Sequence, residues 1–522
     1  MTVGPDPAAG PGAEPAPGAD APADAPAGSA STLRKRIGRV AAASAVAIVV
    51  GQLITVVQTV VLARILSPTE VGLFAAGSVL TAFAGTFVEG GLRSGLVHRE
   101  DQVDDVAETV FRATLLSGTV MTLLALAAAP VIGLIFDDRT AGVVAASMAG
   151  GVLLMSLVNV PEALLQRQFS VLRRLVVGPS VSIVFAVVSV TLALMGFGVW
   201  SLVIGSYAST LTWVGTLWWI CDWRPGRGRP TIRLYRELVS YGAPLAIGLF
   251  ADQGTKSVQA FITGGLLGVQ NLGLFRYGER IALIPVGVIV EVGANSLFPA
   301  YSRISGDLER FRAAYLRALT LVVVVGAAMS AALASVAVPL VVVVLGEEWR
   351  GAGLVLVGLA GLGLGTAVST SAEAIKGAGR TSLLNYVTAL EVVLGIGLLA
   401  LLAWTAGLFG VGLSITLTTW VAAAVLLAMA RSVLGLRWRP VLGAILPTVL
   451  AASLAGVAVY ALESQVLDSA GRDLAVALAF LVVDGLVYLL LYAVLLRVLA
   501  PRAARTVTET AGPILRKALR RG

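Results

Sequence analysis

The sequence predicts an all-α integral membrane protein with about fourteen transmembrane helices: two six-helix lobes followed by two C-terminal helices. The first observation is composition, because 57% of the 522 residues are hydrophobic, only 13% are charged and the mean hydropathy is +0.89. A soluble core of this size cannot hide so much apolar surface. The second is an internal repeat, since one stretch recurs about two hundred residues later in the chain. A duplicated membrane protein follows from the two together.

The repeat relates residues 66–99 to residues 268–303. Both copies start with a turn, continue into an apolar segment and end in the pattern Glu-x-Gly-x-x-Ser. The matched groups are Gly72-Leu73-Phe74 with Gly273-Leu274-Phe275, Glu89-x-Gly91-x-x-Ser94 with Glu291-x-Gly293-x-x-Ser296, Glu162-Ala163 with Glu373-Ala374, and Gly198-Val199 with Gly410-Val411. Four matches in one order at nearly one offset favour duplication over chance.

Helix-length apolar segments define the organisation of the chain, because a bilayer core of about 30 Å needs roughly 20 apolar residues per span. The first lobe (40–222) and the second lobe (238–430) each hold six segments. The predicted segments are 40–65, 71–97, 108–136, 141–164, 175–196, 198–222, 238–267, 272–300, 314–345, 352–376, 381–405, 407–430, 440–463 and 472–499. An even number of spans returns the chain to its starting side, so the lobes are expected to be parallel repeats about a pseudo-two-fold axis along the membrane normal.

The segments outside the spans are predicted from composition and charge. Residues 1–32 are rich in Pro, Ala, Gly and Asp and are expected to be a disordered tail. A basic linker (223–237) joins the lobes, and a basic tail (500–522) ends the chain. The loops on one side carry most of the Arg and Lys residues, whereas the opposite turns hold only Arg64, Arg139, Arg350 and Arg472. This asymmetry predicts that both termini lie in the cytoplasm. The expected location is the inner membrane of a bacterium, because Arg outnumbers Lys 34 to 4 amid abundant Ala, Gly and Val, as is typical of a GC-rich bacterial genome.

Several functional classes are disfavoured by the same composition. The net charge of +8 lies in short loops rather than on one polar face, so no nucleic-acid partner is expected. A single cysteine, Cys221, and a single histidine, His98, predict no disulfide and no metal site. The outer turns are too short for a catalytic domain, and residues 254–257 lack the adjacent Gly-Lys pair of a phosphate-binding loop. We therefore expect a protein that is not an enzyme and has no cofactor.

The motifs ARILSPTEVGLFA, GGLRSGLVHRE, PEALLQRQF, LGLFRYGERIALIPVG and LFPAYSRIS carry a family resemblance. Over about residues 40–440 the chain resembles bacterial polysaccharide (Wzx-type) flippases of the multidrug/oligosaccharidyl-lipid/polysaccharide exporter superfamily. The resemblance implies an alternating-access carrier, coupled to H⁺, Na⁺ or the membrane potential, that moves undecaprenyl-diphosphate-linked sugars outward. One position departs from the pattern, because Gln259-Ala260 stands where such proteins usually carry an Asp-Arg pair.

Charged residues within the spans are the candidate site, since each is costly in the bilayer unless it faces a cavity or a partner. A tight turn joins segments seven and eight, so Lys256, Arg276 and Arg280 are expected to share one cavity and to bind the diphosphate of a lipid carrier. The equivalent positions in the first lobe are Thr55, Ala75 and Val79. In the alternative interpretation, Asp252 neutralises Lys256 and Glu279 neutralises Arg280 in a packed interface.

Four further carboxyl groups are singled out. Glu89 and Glu291 end the repeated helices and either gate the cytoplasmic opening or pair with Arg93 and nearby arginines. Glu391 and Asp484 lie near the middle of their segments and are candidates for proton or ion coupling, or for buried hydrogen-bonded carboxyls.

The sequence thus favours a flippase of lipid-linked oligosaccharide that works for cell-surface polysaccharide export. Its expected partners are that cargo, membrane lipids, and a polysaccharide polymerase and glycosyltransferases. A multidrug or cation antiporter of the same superfamily and a non-transporting membrane scaffold are the alternatives. The basic cluster argues against a pocket for cations, and a scaffold would not require charges within its spans.

Overall fold

The computed structural model describes residues 51–89, 91–99, 101–168 and 176–519, which form helices joined by short turns and contain no strand. The predicted tail at 1–32 and residues 40–50 of the first segment lie outside this part of the chain. The helices are α1 (Gly51–Ile65), α2 (Pro68–Glu89), α3 (Leu92–His98), α4 (Val103–Ile135), α5 (Arg139–Met148), α6 (Gly150–Ser156), α7 (Asn159–Arg167), α8 (Gly178–Leu194), α9 (Val199–Ile220), α10 (Ile232–Leu267), α11 (Val269–Val292), α12 (Phe298–Arg303), α13 (Leu308–Leu345), α14 (Arg350–Leu359), α15 (Leu362–Ser369), α16 (Ser371–Gly377), α17 (Leu383–Leu434), α18 (Trp438–Leu462), α19 (Leu474–Leu499) and α20 (Pro501–Leu519).

The helices confirm the predicted fold class. Each of the fourteen predicted segments overlaps one or more of them, and eight helical stretches of the described chain are long and apolar enough to cross a membrane. α1 and α8 are shorter apolar helices. The helices α10 and α11, which carry the predicted basic site, are long enough to span but are not among the eight, because their sequences include charged and polar residues. The exact count of fourteen spans stays a prediction.

Several predicted segments are interrupted in the structure. Segment two is divided into α2 and α3 near Gly91, whose φ of 73° lies in the left-handed region that glycine adopts without strain. Segments four and ten are each divided into three short helices, α5 to α7 and α14 to α16. In α17 the backbone leaves the helical region at Gly407 (φ 56°, ψ −138°), so its two arms correspond to the separate predicted segments 381–405 and 407–430.

The two lobes meet most closely where the repeated Gly-Leu-Phe motifs begin α2 and α11. A Cβ added to Gly72 would lie 1.9 Å from the carbonyl oxygen of Val269, and one added to Gly273 would lie 2.0 Å from that of Pro68. Pro68 and Val269, like the two glycines, occupy equivalent positions of the repeat. The contact is therefore reciprocal, as a pseudo-two-fold axis between α2 and α11 requires. This end of the molecule is called the closed end.

The buried core is continuous between the lobes at the closed end and separate at the opposite end. One large cluster at the closed end contains residues of both lobes: Leu62, Leu66, Val71 and Phe136 from the first, and Leu272, Phe275, Val341 and Trp349 from the second. Trp349 Nε1 donates across the lobes to the carbonyl oxygen of Ala63 at 2.7 Å. At the opposite end, called the split end, there are two separate clusters. Leu96, Val110 and Leu217 belong to the first, and Phe311, Tyr315 and Leu426 belong to the second.

α10 is the helix that both lobes share. Its first turns pack on the first lobe, since Leu234 and Leu238 belong to that lobe's split-end cluster and Arg99 binds Glu237 at 2.8 Å. The hydrogen bond from Arg99, with a second from Arg233, holds the pKa of Glu237 below its ordinary range. The linker before α10 is also attached to α4, because the backbone N–H of Gly226 donates to Glu108 at 2.7 Å. Farther along, α10 packs on both arms of α17 in the second lobe.

The C-terminal helices α18 and α19 lie outside the two repeated lobes and pack on α13. Tyr492 on α19 donates to the carbonyl oxygen of Val324 on α13 at 2.9 Å in a buried contact. The predicted basic tail contains α20. Its Ala503 is buried in the apolar cluster that it shares with α13, α18 and α19. Both C-terminal helices therefore extend the second lobe alone.

The reciprocal contact makes a testable prediction. Gly72→Ala or Gly273→Ala should force α2 and α11 apart, because the new methyl group would occupy the position of a backbone oxygen that cannot rotate away. We expect each variant to lose about 1 to 3 kcal/mol of stability, the usual cost of overpacking, measured as a lower Tm of the purified protein. Gly215→Ala on α9 is the control, because its Cβ would meet nothing within 4 Å. Glycine variants as stable as this control would contradict the tight contact.

Candidate functional site

The seam between the lobes is lined by the faces of α2 and α11 that continue from the glycine contact. At 100° per residue, Arg280 and Glu291 on α11 lie within about 20° of Gly273 around the helix, and Phe83 on α2 lies within about 20° of Gly72. Arg280, Glu291 and Phe83 are all exposed. Below the closed end, the two helices thus present these side chains towards the seam.

The basic residues predicted to bind diphosphate differ in their pairing. Lys256 Nζ contacts Asp252 Oδ2 at 2.8 Å, and both side chains are more than half exposed. Arg276 Nη1 contacts Glu279 Oε2 at 3.0 Å, and both are less than one-third exposed. Glu279 therefore pairs with Arg276 one turn before it, and not with Arg280 as the alternative interpretation expected. The side chain of Arg280 has no hydrogen bond or ion pair with any described residue.

A pair of aromatic side chains on α2, called the aromatic wall, was missed by sequence reasoning. Phe83 and Phe87 on α2 are partly exposed, and their rings lie edge to face at 5.2 Å. Phe87 also contacts Phe250 on α10 across the lobes at 4.3 Å. The sequence did contain a signal for this pair, because Phe83 and Phe87 are four residues apart and lie on the same side of α2 as Gly72. Since Val79 stands where the second lobe has Arg280, the seam has unlike walls.

The carboxyl groups near the split end have different partners. Glu89 Oε1 binds Arg93 at 2.6 Å, one turn along the chain, with both side chains about one-third exposed. This contact matches the local pairing considered for Glu89. Glu291 is exposed and has no ion-pair partner among the described residues. The gating role of both residues stays a prediction.

A cavity of about 250 Å³ lies between α10 and the two arms of α17. Asp252 and Gln259 line it from α10, and Glu391 lines it from the first arm of α17. The second arm adds Ser414, Thr418 and Thr419. Two carboxyl groups that are far apart in the sequence therefore share one polar cavity. Lys256, Arg276 and Arg280 are not among the residues that line it.

Gln259 repeats a glutamine of the first lobe. With the offset that relates Gly72 to Gly273, Gln52 corresponds to Gln253 and Gln58 to Gln259. Gln58 is buried, and its Nε2 has no hydrogen-bond partner within the described chain. The sequence contained this match, but glutamines within apolar helices are usually interpreted as interhelical contacts.

Asp484 does not belong to this cavity or to the seam. It lies on α19 in the C-terminal pair and is 1% exposed, and neither of its carboxyl oxygens has a hydrogen-bond donor in the described structure. The two residues predicted for coupling, Glu391 and Asp484, are therefore in separate sites. No group of three or more His, Cys, Asp or Glu side chains with the arrangement of a metal site occurs among the described residues.

A protein-family comparison identifies the chain's family. The model described as "Polysaccharide biosynthesis protein" matches residues 61–353, more than half of the chain. The chain belongs to this polysaccharide biosynthesis protein family. The match includes α2 to α11, and therefore the closed-end contact and the seam.

Curated relatives agree with the family. The succinoglycan biosynthesis transport protein ExoT of Rhizobium meliloti is 29% identical over 359 residues, which cover 65% of this chain and 69% of that protein. The teichuronic acid biosynthesis protein TuaB of Bacillus subtilis is 21% identical over 317 residues, 60% of this chain and 65% of that protein. The chain thus spans about two thirds of the length of these relatives.

Solved structures of transporters share the fold. Lipid II flippase MurJ in an inward closed conformation matches with a TM-score of 0.69 at 14% identity, covering 87% of this chain and 98% of that one. An inward-facing multidrug resistance MATE family transporter of the MOP superfamily matches with a TM-score of 0.61 at 17% identity, covering 74% and 94%. At these identities the likeness shows the fold alone. The predicted resemblance to polysaccharide flippases of this superfamily is confirmed, and family and fold are those of transporters rather than enzymes.

The pairing on α11 leads to a prediction. Glu279→Gln or Arg276→Gln alone should reduce stability, because each leaves a half-buried charge without its partner, and the Arg276→Gln, Glu279→Gln double variant should recover most of the loss. We expect about 1 to 3 kcal/mol for each single change, less than for a fully buried pair, measured by thermal unfolding and membrane abundance. Arg280→Gln is the control on the same helix and should not change either quantity. Additive losses in the double variant would show that the pair is not coupled.

Proposed function

We propose that the protein is a flippase that moves an oligosaccharide linked to a polyprenyl diphosphate, such as undecaprenyl diphosphate, from the inner to the outer leaflet. The observation that supports this most is the seam with unlike walls: Arg280 on one side, and Phe83 and Phe87 on the other. Membership of the polysaccharide biosynthesis family supports the same cargo class. A polysaccharide polymerase and glycosyltransferases are proposed as functional partners in the same pathway.

The chemistry of the seam matches an amphipathic anion. Arg280 has no ion-pair partner among the described residues, and its guanidinium offers a planar set of donors that fits phosphate oxygens. Lys256 and Arg276 are held by carboxylates one helical turn away, so they reach cargo only by exchanging those partners. The aromatic wall offers apolar ring faces to a lipid tail or to the apolar face of a sugar. Arg280 therefore makes the principal contact with phosphate in this proposal.

The direction of transport follows from the closed and split ends. With the Arg-rich loops in the cytoplasm, the split end, where the apolar cores of the two lobes are separate, would face inward. Rocking of the lobes would break the glycine contact and open the other end.

Cysteines introduced at Thr69 and Arg227, both exposed, test this orientation. An impermeant thiol reagent should label only the first in intact cells, while the buried Cys221 reacts from neither side.

The test of the cargo site is transport of a polyprenyl-diphosphate oligosaccharide in proteoliposomes by Arg280 variants. Arg280→Gln should lose about tenfold or more in rate, since a charge-assisted hydrogen bond contributes about 1.5 to 3 kcal/mol, while Arg280→Lys should retain part of it. Arg350→Gln is the control, because Arg350 is an exposed arginine at the closed end paired with Glu347. Undiminished transport by Arg280→Gln would overturn the site. Export of a lipophilic cation that improves in Arg280→Gln would instead favour the antiporter alternative.

We propose that the cavity between α10 and α17 binds the coupling ion, H⁺ or Na⁺. Asp252 and Glu391 supply negative charge, and the hydroxyl groups of Ser414 and Thr418 donate to main-chain carbonyls, which leaves their oxygen lone pairs available. Asp252 also binds Lys256. A cation that enters the cavity would compete with Lys256 for Asp252 and release the ammonium group for cargo phosphate. This exchange would link ion occupancy to cargo binding.

The coupling proposal predicts a specific defect for Glu391→Gln. Transport by this variant should no longer respond to an imposed proton or Na⁺ gradient, although cargo should still bind, because Arg280 is unchanged. The measurement is the initial rate in proteoliposomes with and without each gradient. Glu309→Gln is the control, since Glu309 is an exposed acid in the first turn of α13, away from the cavity. A gradient response equal to that of wild type would refute the role of Glu391.

A further inference from the structure

The C-terminal helix pair contains two buried acids outside both lobes. Asp484 on α19 is 1% exposed, and Glu463, directly after α18, is 5% exposed. Asp484 and Glu463 interact with each other, and α19 packs both on α18 and on the turn that contains Ser469. Two ionised carboxylates side by side in this apolar setting would combine two desolvation costs with mutual repulsion. The pair therefore requires a bound positive charge.

Hydrogen bonds distinguish the two carboxyl groups. Glu463 accepts from the backbone N–H of Ser469 through one oxygen and from its hydroxyl through the other, both at 2.8 Å. Ser469 itself is completely buried. Neither oxygen of Asp484 receives a hydrogen bond from a donor in the described chain. Glu463 thus has the environment of a carboxylate, whereas Asp484 has that of a group which must itself supply a proton.

The elements around the pair carry few charged side chains. In the described part of the chain, Arg350 acts on Asp468 in the adjoining turn, but it is exposed and already paired with Glu347. Residues 318–345 of α13 and 441–462 of α18 contain no charged side chain. In the adjoining turn Asp468, Arg472 and Asp473 are exposed. On α19, Arg497 lies thirteen residues after Asp484, about 20 Å along the helix. The remaining polar neighbour on α19 is Tyr488, one turn on, whose buried hydroxyl has no partner among the described residues. The charged residues of α20 come after the C-terminal end of α19, beyond Arg497.

We propose that Asp484 and Glu463 form a proton-binding site in which Asp484 carries the proton and donates it to the Glu463 carboxylate. One proton satisfies both groups, because it converts two competing acceptors into one donor and one acceptor. The site joins α19 to the turn at Ser469, which packs on α13. Loss of the proton leaves two charges between α18 and α19 and weakens the attachment of this pair to the second lobe. The site does not depend on the cargo or on the Asp252–Glu391 cavity.

Infrared spectroscopy of the full-length purified protein tests the proposal directly. Wild type should show the C=O stretching band of a protonated carboxyl group at neutral pH, and Asp484→Asn should lose one such band. The asparagine amide can donate to Glu463 in place of the acid, so this variant should still fold. Asp473→Asn, which removes an exposed acid at the same turn, should leave the band unchanged. A spectrum of Asp484→Asn identical to that of wild type in this region would overturn the assignment.

Stability measurements separate a proton from a metal cation at the same place. The folded pair binds a proton that the unfolded chain has released at neutral pH, so the Tm of wild type should fall as pH rises, and this loss should be smaller in Asp484→Asn. Replacing K⁺ by Na⁺ should change the Tm of both proteins equally, since any Na⁺ effect then arises elsewhere. A stabilisation by Na⁺ that disappears in Asp484→Asn would show that the pair binds a metal cation and would overturn the proton assignment.

Discussion

The approach of two glycines sets the geometry on which the rest of the molecule depends. At Gly72 and Gly273 each helix places a backbone oxygen where the other would carry a Cβ. Such closeness is typical of membrane interfaces, where lipid offers no hydrophobic driving force and helices associate through packing. Because the contact is reciprocal, it fixes which faces of α2 and α11 are turned towards each other. The rotation of 100° per residue then determines which side chains of these two helices are turned towards the seam.

The duplicated frame carries basic residues that are not duplicated. Positions where backbones touch across the axis are the same in both halves, as with the two glycines. Positions one or two turns deeper differ, since Val79 corresponds to Arg280 and Ala75 to Arg276. A symmetric cleft would present identical chemistry on both walls, which suits neither the head nor the tail of an amphipathic cargo well. Divergence at these positions places Arg280 in the second lobe and Val79 in the first without altering the packing that holds the lobes together.

The sequence predicted the fold closely because apolar length and the repeat are local or nearly local signals. It also predicted which residues occupy the faces of α11, since helical phase is calculable from spacing. It predicted the local pairs of Asp252 with Lys256 and of Glu89 with Arg93. It did not predict the partner of Glu279, which is adjacent to Arg280 in sequence but binds Arg276 through the i, i+3 relation. The shared cavity of Asp252 and Glu391 depends on how α10 packs against α17, and periodicity contains no information about that. Glu463 was overlooked because it stands at a helix end, where an acid is ordinarily solvated; the buried turn at Ser469 encloses it instead.

The position of α10 would allow ion and cargo to influence each other in the proposed mechanism. The first turns of α10 pack on the first lobe. Its middle lines the cavity in the second lobe. Its last turns reach the closed end, where Ala260 and Thr263 are buried. A rigid rocking motion cannot keep all three attachments, so the helix must bend or release one of them when the lobes separate. Asp252 lies between the anchored first turns and the closed end, and its charge is divided between the cavity and Lys256. In the proposed mechanism, a change in ion occupancy at Asp252 would therefore act on a helix that contacts both lobes, where a small electrostatic change can alter their relative position.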